Sequence, residues 1–299
     1  MHACILHLSL FSNSDPSLSF YARSGIDQLV AVLAGGPNSL AALQAAAALR
    51  NLASNNTPNQ HKIRDVGGID ALIILVKGGP NSIAAQKAAG ALRNLASNPI
   101  NQDAIREAGA IPQLISLLVP GAASEAVQQS AGALRNLAAN HVVNKDAIRL
   151  CGGIDKLVAV LQSGPNAEPS QQVAGAIWSL AANNVTNQDA IRTAGGIAPL
   201  VALLRNDAES TSAQKAAGAL ANLASNAINK DAIRTEGGIP PLVALLRPDA
   251  AHNGNGPSEA AQHAAAVLAN LASNAVNKNA IREAGGITAL VALLRAQQQ

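Results

Sequence analysis

SAGALRNLAAN, residues 130–140, belongs to a series of six related segments spread along this chain. The others are AAAALRNLASN (45–55), AAGALRNLASN (88–98), VAGAIWSLAAN (173–183), AAGALANLASN (216–226) and AAAVLANLASN (264–274). Their central polar residue is Asn51, Asn94, Asn136, Ser179, Asn222 or Asn270, at successive separations of 43, 42, 43, 43 and 48 residues. A period in the forties predicts stacked helical units, none of which buries its apolar face alone. Function must then be sought in columns that run from unit to unit.

At 299 residues the chain could hold two globular domains, but the internal period replaces them with one elongated array. The four aromatic residues are Phe11, Phe20, Tyr21 and Trp178. That leaves little π surface for stacking bases or lining a small-molecule pocket. Charged residues make up 13% of the chain, the net charge is +3, and Lys and Arg form no run. Nucleic acid is therefore not an expected partner. Cys4 and Cys151 form no paired motif, so reduced thiols and a cytoplasmic or nuclear location are expected. No apolar run approaches the ~20 residues that cross a bilayer. Residues 3–11 are apolar but lack the charged flank of a secretion signal.

Residues 1–19 fit no unit and read as a divergent or disordered lead-in. The array is assigned to residues 20–299, in units of about 20–58, 59–100, 101–143, 144–186, 187–228 and 229–276, with a partial unit 277–299. The third unit shows the grammar. Asn101 is placed as the N-cap of a short helix with Asp103 in its first turn. Gly109 ends that helix. A medium helix starts at Ile111, with Pro112 in its first turn and Leu114, Leu117 and Leu118 as its apolar stripe. A long helix follows from about residue 124 to 139. The same start is expected at Asn59, Asn144, Asn187, Asn229 and Asn277. Residues 21–27 parallel 105–111, so the pattern begins mid-unit. Arg64, Arg106, Arg149, Arg192, Arg234 and Arg282 form a column, and Asp103, Asp146, Asp189 and Asp231 stand three residues before four of them. That spacing favours helix-end pairing over ligand binding.

Three helices, a ~42-residue period, a glycine turn before the second helix and a small-residue third helix carrying Asn resemble armadillo repeats. AGALRNLA is similar to the third helix of catenin-type and plakophilin-type repeats, and NQDAIREAGAIPQLISLL to repeats of plant, algal and fungal armadillo proteins. The resemblance implies an all-α, right-handed α-solenoid of about six and a half repeats.

On a helical wheel, Val127, Ala131, Leu134 and Ala138 share the core sector, with Ser130 and Leu137 beside it. Gln129, Gly132, Asn136 and Asn140 fall on the opposite side, and Arg135 on the flank. The resemblance implies that this opposite side lines a concave groove where Asn side chains bond the main chain of an extended peptide. The ladder would be Asn51, Asn94, Asn136, Asn222 and Asn270, interrupted by Ser179. The plainer reading is that Asn is merely tolerated on an exposed face, although Asn is a mediocre helix former. A second column, Asn55, Asn98, Asn140, Asn183, Asn226 and Asn274, stands where a left-handed C-cap is expected.

Nuclear transport adaptors of the importin-α type place a Trp four residues before the ladder Asn. Here Ala47, Gly90, Gly132, Gly175, Gly218 and Ala266 stand there, and three residues earlier come Gln44, Lys87, Gln129, Gln172, Lys215 and His263. Neither an aromatic slot nor a row of acids is present at these positions, which argues against basic targeting signals. Arg50, Arg93 and Arg135 precede the ladder residue in three units, whereas Ala221 and Ala269 replace them later. These arginines either favour an acidic or phosphorylated segment, or are solvated or paired between repeats. Trp178 either anchors a ligand or packs on a neighbouring third helix. Residues 249–257 read as a surface loop, and His61 and His141 as ordinary surface residues.

The expected function is a non-catalytic protein–protein interaction scaffold. The alternative is the substrate-recognition region of a larger regulatory protein, such as an armadillo-containing ubiquitin ligase. A transport adaptor or a nucleic-acid-binding helical repeat fits less well. No metal, cofactor or catalytic constellation is expected, since the six His are scattered and the Gly-Gly pairs are turns. The unpaired end units suggest either end-to-end self-association or a fragment of a longer chain.

Overall fold

The computed structural model describes residues 16–122, 124–164, 167–206, 210–246 and 258–296. Among these residues the chain forms nineteen helices and no strand, numbered α1 to α19 in chain order. The long third helices are α2 (Leu40–Ala53), α5 (Ile83–Leu95), α8 (Glu125–Ala138), α11 (Ala167–Ala181), α14 (Thr211–Leu223) and α17 (Glu259–Leu271). The first helices are α3 (Thr57–Asp65), α6 (Pro99–Glu107), α9 (Val142–Leu150), α12 (Val185–Thr193), α15 (Ala227–Thr235) and α18 (Ala275–Glu283). The second helices are α4 (Gly68–Val76), α7 (Ala110–Ser116), α10 (Gly153–Gln162), α13 (Ile197–Asn206), α16 (Ile239–Leu245) and α19 (Gly286–Ala296). First and second helices are thus of similar length, not short and medium. The array opens with α1 (Pro16–Leu33), which runs unbroken through Gly25. A single glycine inside a helix costs only about 1 kcal/mol relative to alanine, so neighbouring turns can carry it.

Five of the third helices are started by a serine. Ser39, Ser82, Ser124, Ser210 and Ser258 each accept a hydrogen bond from the backbone N–H three residues on. Such caps satisfy one of the four N–H groups that a helix start leaves unpaired. The turn between first and second helices depends on a left-handed glycine: Gly67, Gly109, Gly152, Gly195, Gly237 and Gly285 all have φ between 70° and 77°.

The expected N-caps of the first helices are displaced. The observed caps are Asn56, Asn98, His141, Asn184, Asn226 and Asn274, each three residues before the residue that the sequence suggested. Asp103 therefore lies beyond the first turn of α6. His141 is a capping residue rather than an ordinary surface one: its Nδ1 accepts from Asn144 N at 3.3 Å, and its Nε2 lies 3.2 Å from Asp103 Oδ1. The second Asn column divides in two. Asn55, Asn140 and Asn183 take the left-handed conformation with φ of 51–55°, as expected. Asn98, Asn226 and Asn274 instead cap the next helix, because the run from the ladder position to that helix is one residue shorter there.

Asn59, Asn101, Asn144, Asn187, Asn229 and Asn277, freed from the capping role, are buried. Asn144 Nδ2 donates to Leu137 O at 3.1 Å, at the end of α8, and to Gln102 O at 3.4 Å, in the first helix of the preceding repeat. Asn101 and Asn187 bridge the equivalent carbonyls. The next residue repeats the device: Gln102 Nε2 donates to Ala96 O and to Asn136 O, at 3.2 and 2.9 Å. These amides occupy carbonyls at the ends of the third helices and add a second bond to carbonyls inside the first helices, and so tie each repeat to its neighbour.

The Arg column beside them is structural, as expected. Arg106, Arg149, Arg192 and Arg234 reach the carboxylate three residues back at 2.7, 3.5, 3.3 and 3.9 Å. Arg64 also donates to Asn101 Oδ1 of the following repeat at 3.1 Å.

Removing a buried bridge should be costly. Asn144→Ala is expected to destabilise the array by roughly 1–3 kcal/mol, because Leu137 O loses its donor and the link to α6 is lost. Asn140→Gly, at a left-handed position, should stay within a few tenths of a kcal/mol of the parent. Urea unfolding followed by circular dichroism tests both, and an equal effect would contradict the bridging role.

Candidate functional site

The candidate site is the wall formed by α2, α5, α8, α11, α14 and α17. Successive third helices pack on one another more extensively than first or second helices do, so this wall is a continuous stack of helices. Small residues permit the approach. On α8, Val127, Ala131, Leu134 and Ala138 are fully buried in the core, as the wheel requires. Ser130 is buried with them and donates to Leu114 O.

The opposite side of the wheel departs from expectation. Gln129 and Gly132 were placed facing outward, yet both are buried. What covers Gly132 is Arg93 of the preceding third helix. A methyl group at Gly132 would lie 2.7 Å from both Cδ and Nε of Arg93. The relation recurs along the wall: Arg50 lies over Gly90, Arg135 over Gly175 and Trp178 over Gly218, at 2.8, 3.1 and 2.9 Å from such a methyl. Where the covering residue is Ala221, the position below it in the next repeat is Ala266. Large residues lie over glycine, whereas the alanine that follows the small one, Ala266, is exposed. The positions that carry Trp in transport adaptors are here seats for the preceding repeat, not an open groove floor.

The ladder residues take part in the same stacking. Asn94 Nδ2 donates to Arg50 O at 2.8 Å, Asn136 Nδ2 to Arg93 O at 2.8 Å, and Asn222 Nδ2 to Trp178 O at 3.0 Å. Each bond crosses from one repeat to the one before it. This inter-repeat bond is a use for Asn that the wheel could not reveal. It takes one of the two N–H groups of each amide and fixes the amide's orientation. All three side chains remain partly exposed. Asn136 Oδ1 also accepts from Arg135 Nε and Nη2 at 3.4 and 3.3 Å. Asn51 is exposed, Asn270 and Ser179 are partly buried, and Ser179 has a side chain one atom shorter than Asn.

The three arginines differ in their partners. Arg50 Nη1 meets Glu125 at 2.9 Å, two repeats further along, and Lys87 Nζ meets the same carboxylate at 2.9 Å. Hydrogen bonding from Lys87, then from Arg50, holds the Glu125 carboxyl below the usual range. Pairing between repeats is therefore correct for Arg50. Arg93 makes only a long bond to Gln129 Oε1, at 3.4 Å. Burial, followed by repulsion from Arg135 and Arg50, disfavours its charged form, and burial does the same at Arg135. Among the described residues, neither Arg93 nor Arg135 pairs with a carboxylate.

Trp178 packs on the neighbouring third helix and remains partly exposed. His263 meets its ring edge-on at a centroid distance of 5.0 Å and 74°, and Lys215 Nζ lies 4.9 Å from its ring centroid. Glu259 lies beside both residues, with His263 Nε2 at 3.4 Å and Lys215 Nζ at 3.8 Å. Sequence reasoning missed Glu125 and Glu259 because it examined only the column of Gln129 and His263. The available signal was a Ser-Glu pair at the start of α8 and α17, one helical turn earlier. Residues 249–257, read as a surface loop, lie outside the described residues.

The seat-and-cover relation is testable by a double-mutant cycle. Gly218→Ala should destabilise by about 1–3 kcal/mol, because the Trp178 ring cannot bend away. In a Trp178→Ala background the same change should stabilise by about 0.5–1 kcal/mol through helix propensity. Gly132→Ala should be nearly neutral, since the Arg93 side chain can swing aside. Chemical denaturation of the four variants reads the coupling, and additivity at Trp178 and Gly218 would refute it.

Comparison with known proteins agrees with this architecture. The Armadillo/beta-catenin-like repeat family matches residues 98–139 and 184–225. No curated protein matches the sequence. Among solved structures, an engineered protein is 33% identical with a TM-score of 0.79, over 92% of this chain and 66% of its own. The designed armadillo repeat protein YIII(Dq)4CqI is 25% identical with a TM-score of 0.72, over 82% of this chain and 99% of its own. A further designed armadillo repeat protein, in complex with peptide (KR)4, is 26% identical with a TM-score of 0.69, again over 82% and 99%. With the family's repeat recognised in its sequence and designed arrays of that repeat superposing on most of its length, this chain belongs to the armadillo repeat proteins.

Proposed function

We propose that this chain is a non-catalytic scaffold that holds an extended segment of a partner protein along the wall of third helices. The observation that carries the reading is the row of amides at Asn94, Asn136 and Asn222, each pinned through one N–H to the preceding repeat. A pinned amide still offers a second N–H and, at Oδ1, an acceptor. That combination suits the alternating C=O and N–H of an extended main chain and is indifferent to the partner's side chains. Pre-orientation lowers the entropy lost when the partner binds.

Side-chain preference would come from the flanks. The designed relative in complex with (KR)4 has a basic peptide. The N-terminal half of the present wall carries Arg50, Lys87, Arg93 and Arg135 against Glu125, so the preferred segment is acidic or phosphorylated there. Trp178, with Lys215 and His263 beside it, would give the next repeat an amphipathic contact.

Two variants test the amide row from opposite directions. Asn94→Ala/Asn136→Ala/Asn222→Ala should weaken capture on an array of extended 12-residue peptides by at least tenfold. It should also lower thermal stability, because the stitching bonds are lost. Ser179→Asn completes the row, and should raise affinity for the same peptides about two- to fivefold, equivalent to roughly 0.5–1 kcal/mol, without loss of stability. Affinities unmoved by both changes would place the binding site away from this wall. Separately, acidic peptides should bind more tightly than charge-reversed ones, and the difference should shrink as salt rises.

Glu125 sets how much positive charge this wall presents. Glu125→Gln should destabilise only on the order of 0.5 kcal/mol at neutral pH, as expected of a largely solvated pair. The sign follows from its depressed pKa. The stabilisation is fully present above the ordinary carboxyl value of 4.5 and is lost as pH falls through the depressed one. Melting curves of parent and variant should therefore converge toward low pH. A gap that persists well below the ordinary carboxyl range would contradict the ion-pair assignment.

A further inference from the structure

We infer that Arg93 and Arg135 together form a receptor for one phosphoryl group, carried by a phosphoserine or phosphothreonine of the bound segment. This inference rests on the peptide-binding reading of the wall and adds to it a ligand chemistry and a location.

The stems of the two arginines already lie along the wall before any ligand arrives. The Arg93 stem lies on Gly132 and the Arg135 stem on Gly175, so both side chains are laid along the wall rather than extended into solvent. Their donors are largely unspent. A guanidinium has five N–H groups. Arg93 makes the single long contact to Gln129, and the contacts of Arg135 reach only the neutral Oδ1 of Asn136. The other cations of the wall are engaged: Arg50 and Lys87 share Glu125, and Lys215 lies between Trp178 and Glu259. In the later repeats Ala221 and Ala269 occupy the equivalent positions. The unneutralised charge is thus confined to two adjacent repeats.

The composition of this pair selects a phosphoryl group over a carboxylate. A carboxylate has two oxygens and one charge, which a single forked guanidinium satisfies. A phosphoserine carries about −1.5 to −2 charges at neutral pH and three strong acceptor oxygens, enough for two forks at once. The cost of holding Arg93 and Arg135 partly desolvated and near each other would be relieved by such a dianion. The pinned Asn94 and Asn136, next in sequence to Arg93 and Arg135, would hold the main chain on either side of the phosphorylated residue.

The test uses the full chain and three fluorescein-labelled 11-residue peptide libraries with degenerate flanks, centred on serine, aspartate or phosphoserine. Anisotropy titration should show the phosphoserine library binding at least tenfold more tightly than the serine library, with aspartate between them. Arg93→Gln/Arg135→Gln should abolish the difference, whereas Arg205→Gln, on α13 and engaged with Glu236 O and Gly237 O away from the wall, should change it less than threefold. Arg93→Lys/Arg135→Lys keeps the charge but loses the forks and should retain only part of the preference. Glu125→Gln, which frees Arg50 and Lys87 while leaving the pair untouched, should strengthen phosphoserine binding and serves if the double variant melts early. Affinity for the phosphoserine library should fall between pH 7 and pH 5.5, as the phosphate takes up its second proton near pH 6, and affinity for the aspartate library should not. Inorganic phosphate should compete only at concentrations far above the peptide, since it lacks the main-chain contacts.

Serine and phosphoserine libraries that bind within twofold of each other would overturn the inference. A phosphoserine preference that survives Arg93→Gln/Arg135→Gln would also overturn it. If the serine library still responds to Ser179→Asn in either case, the peptide-binding reading stands and only the phosphate receptor fails. If no library binds, both fall together.

Discussion

The array depends on how closely one third helix can lie against the next. The residue before the ladder position must find room on the following repeat, and the room is made by removing a side chain there. Arg50, Arg93, Arg135 and Trp178 each rest where glycine replaces a larger residue. Glycine in the middle of a helix costs about 0.5–1 kcal/mol relative to alanine, so its presence needs a compensating contact. That contact is the packed stem of an arginine or the ring of Trp178. Close approach also brings the ladder amide within 2.8–3.0 Å of the carbonyl of the same covering residue, so steric fit and hydrogen bonding fix one register together.

This arrangement would couple stability to the proposed recognition. The side chains that cement the repeats lie on the wall of third helices, and the amides that would hold a peptide main chain are oriented by bonds within the array. Stacking identical positions also lines up like charges. Arg50, Arg93 and Arg135 stand in successive repeats, and their mutual repulsion opposes the packing that places them there. Glu125 offsets part of it by reaching Arg50 and Lys87 from a third repeat. What remains at Arg93 and Arg135 is charge held on a rigid surface, a feature that suits an anionic ligand better than flexible surface lysines would.

A second set of bonds lies on the first helices. Asn101, Asn144 and Asn187 carry no charge and face no groove, yet each bridges two carbonyls across a repeat boundary. The sequence marks this column as invariantly Asn, and reading it as a helix start was reasonable, because Asn is a favoured N-cap. The helix begins three residues sooner because Asn56, Asn98, His141, Asn184, Asn226 or Asn274 supplies the cap. Periodicity fixes which residues share a face, but not which of two capping residues the backbone uses.

The sequence by itself determined the repeat, its three helices and the core face of α8, because these depend on spacing and on local chemistry: 3.6-residue periodicity, serine caps and left-handed glycines. It also pointed to the ladder and to the Asp–Arg pairs, which are contacts within one helix face. Only the tertiary structure decided what those columns touch. Gln129 and Gly132 are buried because a neighbouring repeat covers them. Glu125 faces this wall because Arg50, 75 residues away in sequence, is brought beside it. Asn136 is pinned because Arg93 O lies 2.8 Å away. A helical wheel describes one helix in isolation, and the surface of this protein is made where two helices meet.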